Sequence, residues 1–469
     1  MTKDKKRIHF VGICGTAMGN VAAMMQACGY HVSGSDQNVY PPMSTFLENC
    51  GVELKSGYEA SHLGNAPDFC VIGNAISRGN PEVETILNKK LPYLSLPEVL
   101  KEFFLKGAHN LVVTGTHGKT TTSSLLAWIF EFAGKDPSFL IGGLPGNFDR
   151  GCKKGKSNFW ILEGDEYDTA FFDKRSKFLH YLPELVIINN VEFDHADIYE
   201  NLASIQLSFR RLVNLVPTQG MILVNADDPN SLAVVKNALA PVTEVGFSNN
   251  AAIAIKNFQS SSLGVQFEVL GKKFDLPMHG EFNVRNAAMA IAAAHFYQID
   301  LSTIAEALQQ FKGVKRRQEE RATVGDITIV DDFGHHPTAM KETLKGLRQR
   351  YEGRRLWALF EPRSNTTRRA VFQNSLPEAL ALADGVFVSQ VARLEQLPEN
   401  ERLNPEKVVA SIEAKGVPAF YETDAPAIVK KLVPLLEKKD VIIIFSNGGF
   451  GGIHNQLEQT LKNRFEKTC

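Results

Sequence analysis

Residues 112–125 read VVTGTHGKTTTSSL: an apolar stretch, a loop bearing Gly115 and Gly118, and then Lys119 and Thr120 opening a helix-like run. The loop is a shortened relative of the phosphate-binding pattern GxxxxGK[ST]; residue 113 is Val, but the positions that carry a mechanism survive. Backbone N–H groups at a helix N-terminus face phosphate, a lysine ammonium reaches the terminal phosphates, and a threonine hydroxyl meets Mg2+. The plain alternative is a turn between strand and helix, yet such turns seldom open the helix with Gly-Lys-Thr.

A nucleoside triphosphate needs a metal, and two later stretches offer ligands. NFWILEGDEYD (158–168) is an apolar strand that releases Glu163, Asp165, Glu166 and Asp168 at its end; ELVIINNVEFDHADIY (184–199) repeats the arrangement with Asn190, Glu192, Asp194 and His195. Open parallel sheets place ligands at the C-terminal ends of such strands. Mg2+ takes oxygen ligands and keeps waters, so on residue type alone His195 reads as a substrate or base residue, or as a structural histidine. Downstream, HGEFNVRNAAMAIAAA (279–294) sets Asn283 and Asn286 one turn apart at the start of an alanine-rich helix. IVDDFGHHPTAMKETL (329–344) sets Asp331, Asp332, His335 and His336 in a strand-to-helix turn. Both also read as helix caps and loop chemistry.

Near the N-terminus, RIHFVGIC (7–14) meets GTAMG, a helical apolar pattern follows, and YHVSGSD ends a second strand on Asp36. Strand, glycine turn, helix and strand with an acid about 20 positions on is the layout of a nucleotide-binding fold. The glycines are Gly12, Gly15 and Gly19, with Cys14 where a dinucleotide fingerprint needs its second glycine. That argues against NAD and for a helix N-terminus facing another diphosphate.

The elements that position these residues fall into three segments. At 469 residues the chain exceeds the size at which one core stops growing. Strand alternation is lost around LKEFFLKGAHN (100–110), and a charged stretch, GVKRRQEERATVGD (313–326), precedes a new strand. We therefore expect domains at 1–107, 108–320 and 321–469. With 44% hydrophobic residues and 51 basic against 52 acidic ones, the chain can bury cores and presents no global field for nucleic acid or membrane. The first ten residues lack a signal-peptide apolar region, no run approaches a membrane span, and the six cysteines form no CxxC pair. A cytoplasmic protein with reduced thiols is expected.

Taken together, TGTHGKTTT, ILEGDEYD, NNVEFDHADIY, GEFNVRNAAMAI, GVKRR and VDDFGHHPT resemble, in order and across all three segments, the motifs of the Mur ligases, ATP-dependent amide-forming enzymes of peptidoglycan synthesis. The stretches GICGTAMGN, DQNVYPPMST, EYDTAFFDKRSKF, EPRSNT and SNGGFGGIH are most similar to the branch that binds UDP-N-acetylmuramate. Within it they lie nearer the activity that adds L-alanyl-γ-D-glutamyl-meso-diaminopimelate than the one that adds L-alanine. The resemblance implies an α/β protein with a Rossmann-like UDP-sugar domain, a P-loop ATPase-like central domain and a Rossmann-like C-terminal domain that binds the peptide. It implies ATP and Mg2+; no nucleic acid or membrane partner is expected, and the oligomeric state is left open with a monomer favoured.

By position, the resemblance puts ATP on Gly115, Thr116, His117, Gly118, Lys119, Thr120 and Thr121, with Asn283, Asn286, Arg317, Asp332 and His335 around it. Thr120, Glu163 and His195 would hold Mg2+, and Lys119, Glu163, Asn190, His195 and Arg317 would carry catalysis. Gly12, Gly15, Thr16, Ala17 and Met18 would face the UDP diphosphate, with Ser35 and Asp36 toward the uridine, while Arg363, Ser364 and Asn365 would meet the peptide. Some relatives carry a carbamylated lysine on the helix after the histidine-bearing strand; NLASIQLSFRRLV (201–213) contains none, so no carbamate is expected, and Phe282 stands where relatives often have His. The rival readings are the L-alanine-adding activity, a nicotinamide-dependent dehydrogenase and a nucleotide-dependent switch.

Overall fold

A computed structural model describes residues 6–466; the first five residues of the charged N-terminal stretch and Cys469 lie outside the described residues. Each segment is built on its own sheet. The first has five parallel strands in the order Glu53–Ser56, His31–Asp36, Arg7–Val11, Phe69–Ile72 and Tyr93–Ser95. Chain order reverses between Arg7–Val11 and Phe69–Ile72, which opens a crevice at their C-terminal ends, where Gly12 and Gly73 lie.

The central sheet runs Ile253–Ala254, Val242–Gly246, Met221–Asn225, Leu185–Ile188, His109–Thr114, Phe159–Glu163, Ser138–Leu140 and Cys152–Lys153. Only the last pair is antiparallel. Its middle strands are continuous apolar runs because helices cover both faces. Helices Lys119–Phe132 and Glu281–Phe296 pack together on one face, and an antiparallel meander over 256–276 adds Val265, Phe267 and Phe274 to that core.

The third sheet runs Glu319–Val324, Ile327–Asp332, Val441–Phe445, Leu356–Phe360, Gly385–Ser389 and Ala419–Glu422, parallel apart from its first pair. The α/β architecture, with a mainly parallel sheet at the centre of each of three domains, is the one expected. The expected cut at 320/321 divides the strand Glu319–Val324, which pairs with Ile327–Asp332. Its EERATV sequence is charged because an edge strand keeps a solvated face, and that hid it in a charged stretch. Among the described residues no helix is long and apolar enough to cross a membrane.

Packing runs across the first expected boundary. Helix Leu96–Leu100 continues into a π-helical turn, Lys101–Leu105, and Val99, Leu100 and Leu105 share a core with Val112, Trp160 and Leu162 of the central sheet. Phe103 stacks on Phe69 at 5.4 Å and Phe104 meets Trp160 at 5.7 Å. The two-stranded hairpin Asp168–Ala170/Asp173–Ser176 reaches back to the first sheet. Asn74 Nδ2 donates to the Asp168 carbonyl at 2.8 Å, and Phe172 sets its edge on Tyr93 at 4.9 Å. Leu105 is 1% exposed, so Leu105→Ala is expected to cost about 2–5 kcal/mol through lost transfer energy and a residual cavity. Urea unfolding followed by tryptophan fluorescence measures this, and an unchanged midpoint would show that the helix does not tie the two sheets together.

Candidate active site

Strand register brings the chemistry to one edge. His109–Thr114 lies between Phe159–Glu163 and Leu185–Ile188, with Val113 opposite Glu163 and Thr114 opposite Ile188. The loop after Thr114 therefore leaves the sheet beside Glu163 and the pair Asn189–Asn190. Two glycines allow it. Gly115 has φ +129°, and a Cβ there would sit 3.0 Å from the Asn190 nitrogen; Gly118 has φ +80°, and its Cβ would meet Asn286 Oδ1 at 2.4 Å. Helix Lys119–Phe132 starts without a side-chain cap, so no side chain takes up its first N–H groups, which suits an anion at this end.

At the mouth of this loop sits a carboxylate flanked by two cations. Glu166, 2% exposed, accepts from Lys119 Nζ at 2.9 and 3.0 Å, and His195 Nε2 lies 3.0 Å from its Oε1. Lys119 also donates to the Gly115 carbonyl at 2.7 Å. Burial alone would depress the His195 pKa, but the hydrogen bond and charge of Glu166, with Asp194, outweigh it and raise the imidazole to about 9. Burial likewise disfavours the charge on Asp165, yet Lys177 and Lys119 hold its carboxyl down at about 2. At the end of the strand that Asp165 and Glu166 follow, Thr120 Oγ1 donates to Glu163 Oε1 at 2.8 Å, the Gly142 nitrogen donates to Glu163 Oε2 at 2.7 Å, and Arg317 Nη2 reaches Thr120 Oγ1 at 3.2 Å.

These groups suit a hard cation. Thr120 and Glu163 offer oxygens side by side, and ligand atoms of Asp165, Glu166 and His195 all lie within 4.8 Å of one another. A second cluster, His117, Glu192 and His336, is occupied differently. Thr338 Oγ1 donates to Glu192 at 2.7 Å, and His336 Nδ1 accepts from the Thr338 nitrogen at 3.2 Å, capping helix Pro337–Arg350.

One cleft of about 1770 Å³ joins the edges of all three sheets. From the central segment it is lined by Thr116, His117, Gly118, Lys119, Thr120 and Thr121, by Glu163 and His195, and by Asn190, whose Oδ1 accepts from the His117 nitrogen at 2.7 Å. Asn283 and Asn286 line it as well, 3.4 Å apart, as do Phe282 and Arg317. Gly115 lies behind the lining, where its carbonyl holds Lys119. The third sheet supplies His335 and Asp332. The Asp332 carboxylate is taken up by the Gln318 and Gly334 nitrogens at 2.9 and 2.6 Å, which fold the turn beneath the cleft.

From the first sheet come Gly12, Gly15, Thr16, Ala17, Met18 and Asp36, which accepts from the Cys14 nitrogen at 2.9 Å. Ser35 does not reach the cleft. It is fully buried, and its hydroxyl donates to Glu82 at 2.5 Å, in a cluster with His9 and His62. Nor do Arg363, Ser364 and Asn365 line it. Arg363 lies against Gly448, Ser364 Oγ bonds Thr367 Oγ1 at 2.8 Å, and Asn365 Nδ2 donates to Tyr167 Oη and Asp197 at 2.9 and 2.7 Å, joining the third segment to the central one next to His195. Glu166, which sequence reasoning left undistinguished among four released acids, is the group that both Lys119 and His195 use.

Replacing Glu166 by Gln removes the charge that favours imidazolium, so the His195 pKa is expected to fall from about 9 toward or below the ordinary value. NMR titration of the imidazole reads this directly. In the parent, the raised pKa contributes stability in full below about pH 6.5 and loses it as the pH rises through about 9. A Glu166→Gln protein still titrating near 9 would show that Asp194 alone holds the charge.

Three family models cover the chain: the Mur ligase family catalytic domain at residues 7–106, the Mur ligase middle domain at 113–294 and the Mur ligase glutamate ligase domain at 316–448. The chain is 43% identical over 466 residues to the UDP-N-acetylmuramate–L-alanyl-γ-D-glutamyl-meso-2,6-diaminoheptandioate ligase of Escherichia coli (strain K12), covering 98% of this chain and 99% of that protein. It is 30% identical over 469 residues to the UDP-N-acetylmuramate–L-alanine ligase of Desulforapulum autotrophicum, covering 98% and 99%. A crystal structure of a murein peptide ligase from Psychrobacter arcticus 273-4 matches with a TM-score of 0.72 and 36% identity, over 98% of this chain and 99% of that one. With the glycine loop, the two acidic strand ends and three sheets around one cleft, these matches show that the chain belongs to the Mur ligase family.

Proposed function

We propose that this protein uses ATP to join L-alanyl-γ-D-glutamyl-meso-diaminopimelate to UDP-N-acetylmuramate in murein recycling, with 1–107 holding the sugar nucleotide, 108–320 the ATP and 321–469 the peptide. The observation that carries it is the single cleft. It runs from the Gly15–Met18 turn of the first sheet to the glycine loop of the second, so a sugar nucleotide and a nucleoside triphosphate can meet at Lys119, Glu166 and His195. The tripeptide is favoured over L-alanine by the 43% full-length identity to a tripeptide-adding ligase, against 30% to an alanine-adding one.

The reaction balances as two displacements. A lactyl carboxylate oxygen attacks the γ-phosphorus, the bridging P–O bond breaks and ADP leaves; the peptide amine then attacks the acyl carbon, phosphate departs and the amine loses a proton. For the first step the chain supplies positioning and charge. Backbone N–H groups of 116–121 cradle the phosphates, Lys119 exchanges Glu166 for the terminal phosphate, and Arg317, 3.2 Å from Thr120, adds a second positive charge. Asn286 stands beside Gly118, and Asn283, 3.4 Å from it, lines the same cleft, where the two border the nucleotide. Thr120 with Glu163, and His195 with Asp165 and Glu166, are the residues that would hold Mg2+, which when bound neutralises charge on the transferring phosphoryl group.

For the second step the amine comes from the side of the third sheet. Asn365, bonded to Tyr167 and Asp197 beside His195, and Arg363, lying over Gly448 outside the cleft lining, are polar groups of that segment that suit a peptide with several carboxylates. Contacts to the far end of the peptide orient its amine, so a single amino acid forfeits turnover as well as affinity. Phosphate release with UDP-N-acetylmuramate, ATP and either acceptor is expected to give the tripeptide the higher kcat/KM; equal or better use of L-alanine overturns the recycling assignment. Lys119→Ala is expected to slow ligation at least about 100-fold while calorimetric binding of UDP-N-acetylmuramate is retained. A folded variant that no longer binds the sugar nucleotide would refute the division of labour between the first two segments.

A further inference from the structure

The lysines and arginines that line the cleft among the described residues are Arg78, Lys119, Lys177, Arg285, Arg317 and Lys345. Arg78 is held by Glu84, Arg285 by Asp227 and Lys345 by Glu342, while Lys119 and Arg317 serve the glycine loop. Lys177 is paired as well, but with Asp165, whose ligand atom lies within 4.8 Å of those of Glu166 and His195, so it stands at the reaction centre with no role yet given to it. Its ammonium lies 2.6 Å from Asp165 Oδ2, its single hydrogen-bond acceptor among the described residues, and 5.6 Å from the centre of the Tyr167 ring. An ammonium has three donors, so Lys177 keeps donors for a ligand.

Its placement is fixed from both sides. Lys177 directly follows the hairpin Asp168–Ala170/Asp173–Ser176, whose Phe171 and Phe172 pack on the core of the first sheet. At the other end, the Lys177 nitrogen donates to the Tyr167 carbonyl at 3.1 Å. Ser176 Oγ lies 2.8 Å from Tyr199 Oη, which donates to the Glu166 carbonyl at 2.7 Å. The backbone that carries Lys177 thus links the sugar-nucleotide segment to the carboxylate between Lys119 and His195.

Charge matching identifies the ligand. On the proposed function, the ATP phosphates have the glycine loop and the UDP diphosphate has the turn Gly15–Met18; at the reaction centre, the lactyl carboxylate is the anion to which no lysine or arginine of the lining is yet assigned. We propose that Lys177 binds that carboxylate, leaving Asp165 for it when the cleft fills; this rests on the function proposed above. Lys177 hydrogen-bonds one carboxylate oxygen and leaves the other free to attack the γ-phosphorus. The oxygen it holds becomes the carbonyl oxygen of the acyl phosphate and gathers negative charge when the amine adds, where a nearby ammonium stabilises it without giving up a proton. Asp165, released, joins Glu166 and His195 as the oxygen-rich side of the centre.

UDP-N-acetylglucosamine is the same sugar nucleotide without the lactyl group, so comparing the two ligands isolates the contact. Calorimetric titrations of the full chain, with Mg2+ and a non-hydrolysable ATP analogue, are run on the parent, Lys177→Met and Lys177→Arg. Lys177→Met is expected to weaken UDP-N-acetylmuramate about 10- to 100-fold, the worth of a charged hydrogen bond, and to leave UDP-N-acetylglucosamine unchanged; Lys177→Arg retains part of the difference. Equal losses for both ligands, as a merely structural partner of Asp165 would give, overturn the proposal, as does no loss for either. Lys177→Gln serves in the same comparison should the methionine variant fail to fold. Tripeptide-dependent phosphate release by the parent separates the two readings: without it the proposed function falls and this assignment with it, whereas release together with unaltered ligand preference in Lys177→Met removes Lys177 alone.

Discussion

A carboxylate that is 2% exposed stays ionised only if positive charge and hydrogen bonds replace the water it lost. Glu166 meets that condition with Lys119 and His195, and the arrangement of the centre follows from it. Lys119 is drawn back over its own loop onto the Gly115 carbonyl, and His195 is held with φ +54°, a left-handed backbone that a non-glycine residue adopts at a cost. The Asp194 carboxylate accepts from the His195 nitrogen at 2.7 Å and from Thr366 Oγ1 at 2.6 Å, so the same turn also grips the third segment. A buried charge therefore organises both the nucleotide loop and an inter-segment contact.

The cations and acids of the site are paired with one another: Lys119 neutralises Glu166 and Lys177 neutralises Asp165. On the function proposed, phosphate and carboxylate ligands would compete for these ammonium groups and leave the acids for a divalent cation. Each partner exchange keeps charges paired, which avoids the several kcal/mol that an isolated buried ion costs. The continuous core through Leu105, Trp160 and Val112 keeps the first two sheets in fixed relation, so the turn Gly15–Met18 and the glycine loop stay across one cleft from each other.

Much of this was legible in the chain, residue by residue. Gly118-Lys119-Thr120 stood out because few sequences do that job, and the two acidic strand ends were visible because parallel strands buried on both faces are uninterrupted apolar runs. Less was legible where function depends on the direction of a loop. Glu163, Asp165, Glu166 and Asp168 follow one strand, and which of them faces the phosphate loop is set by the turn at Gly164, where a Cβ would strike Thr114 Cγ2 at 2.5 Å. The resemblance put Ser35 with Asp36 toward the uridine, yet alternation along the strand turns Ser35 inward onto Glu82, 47 residues away.

The sequence by itself determined the class of chemistry, the three α/β segments and the family, because these rest on local patterns: glycines where φ must be positive, a lysine at a helix start, apolar runs that become parallel strands. Tertiary structure alone decided which groups become partners. Glu166 and Lys119 are 47 positions apart, Arg317 and Thr120 197, and Asn365 and Tyr167 198. No local pattern encodes such pairings, since they arise only when strand register and a shared core bring the ends of separate sheets to one edge.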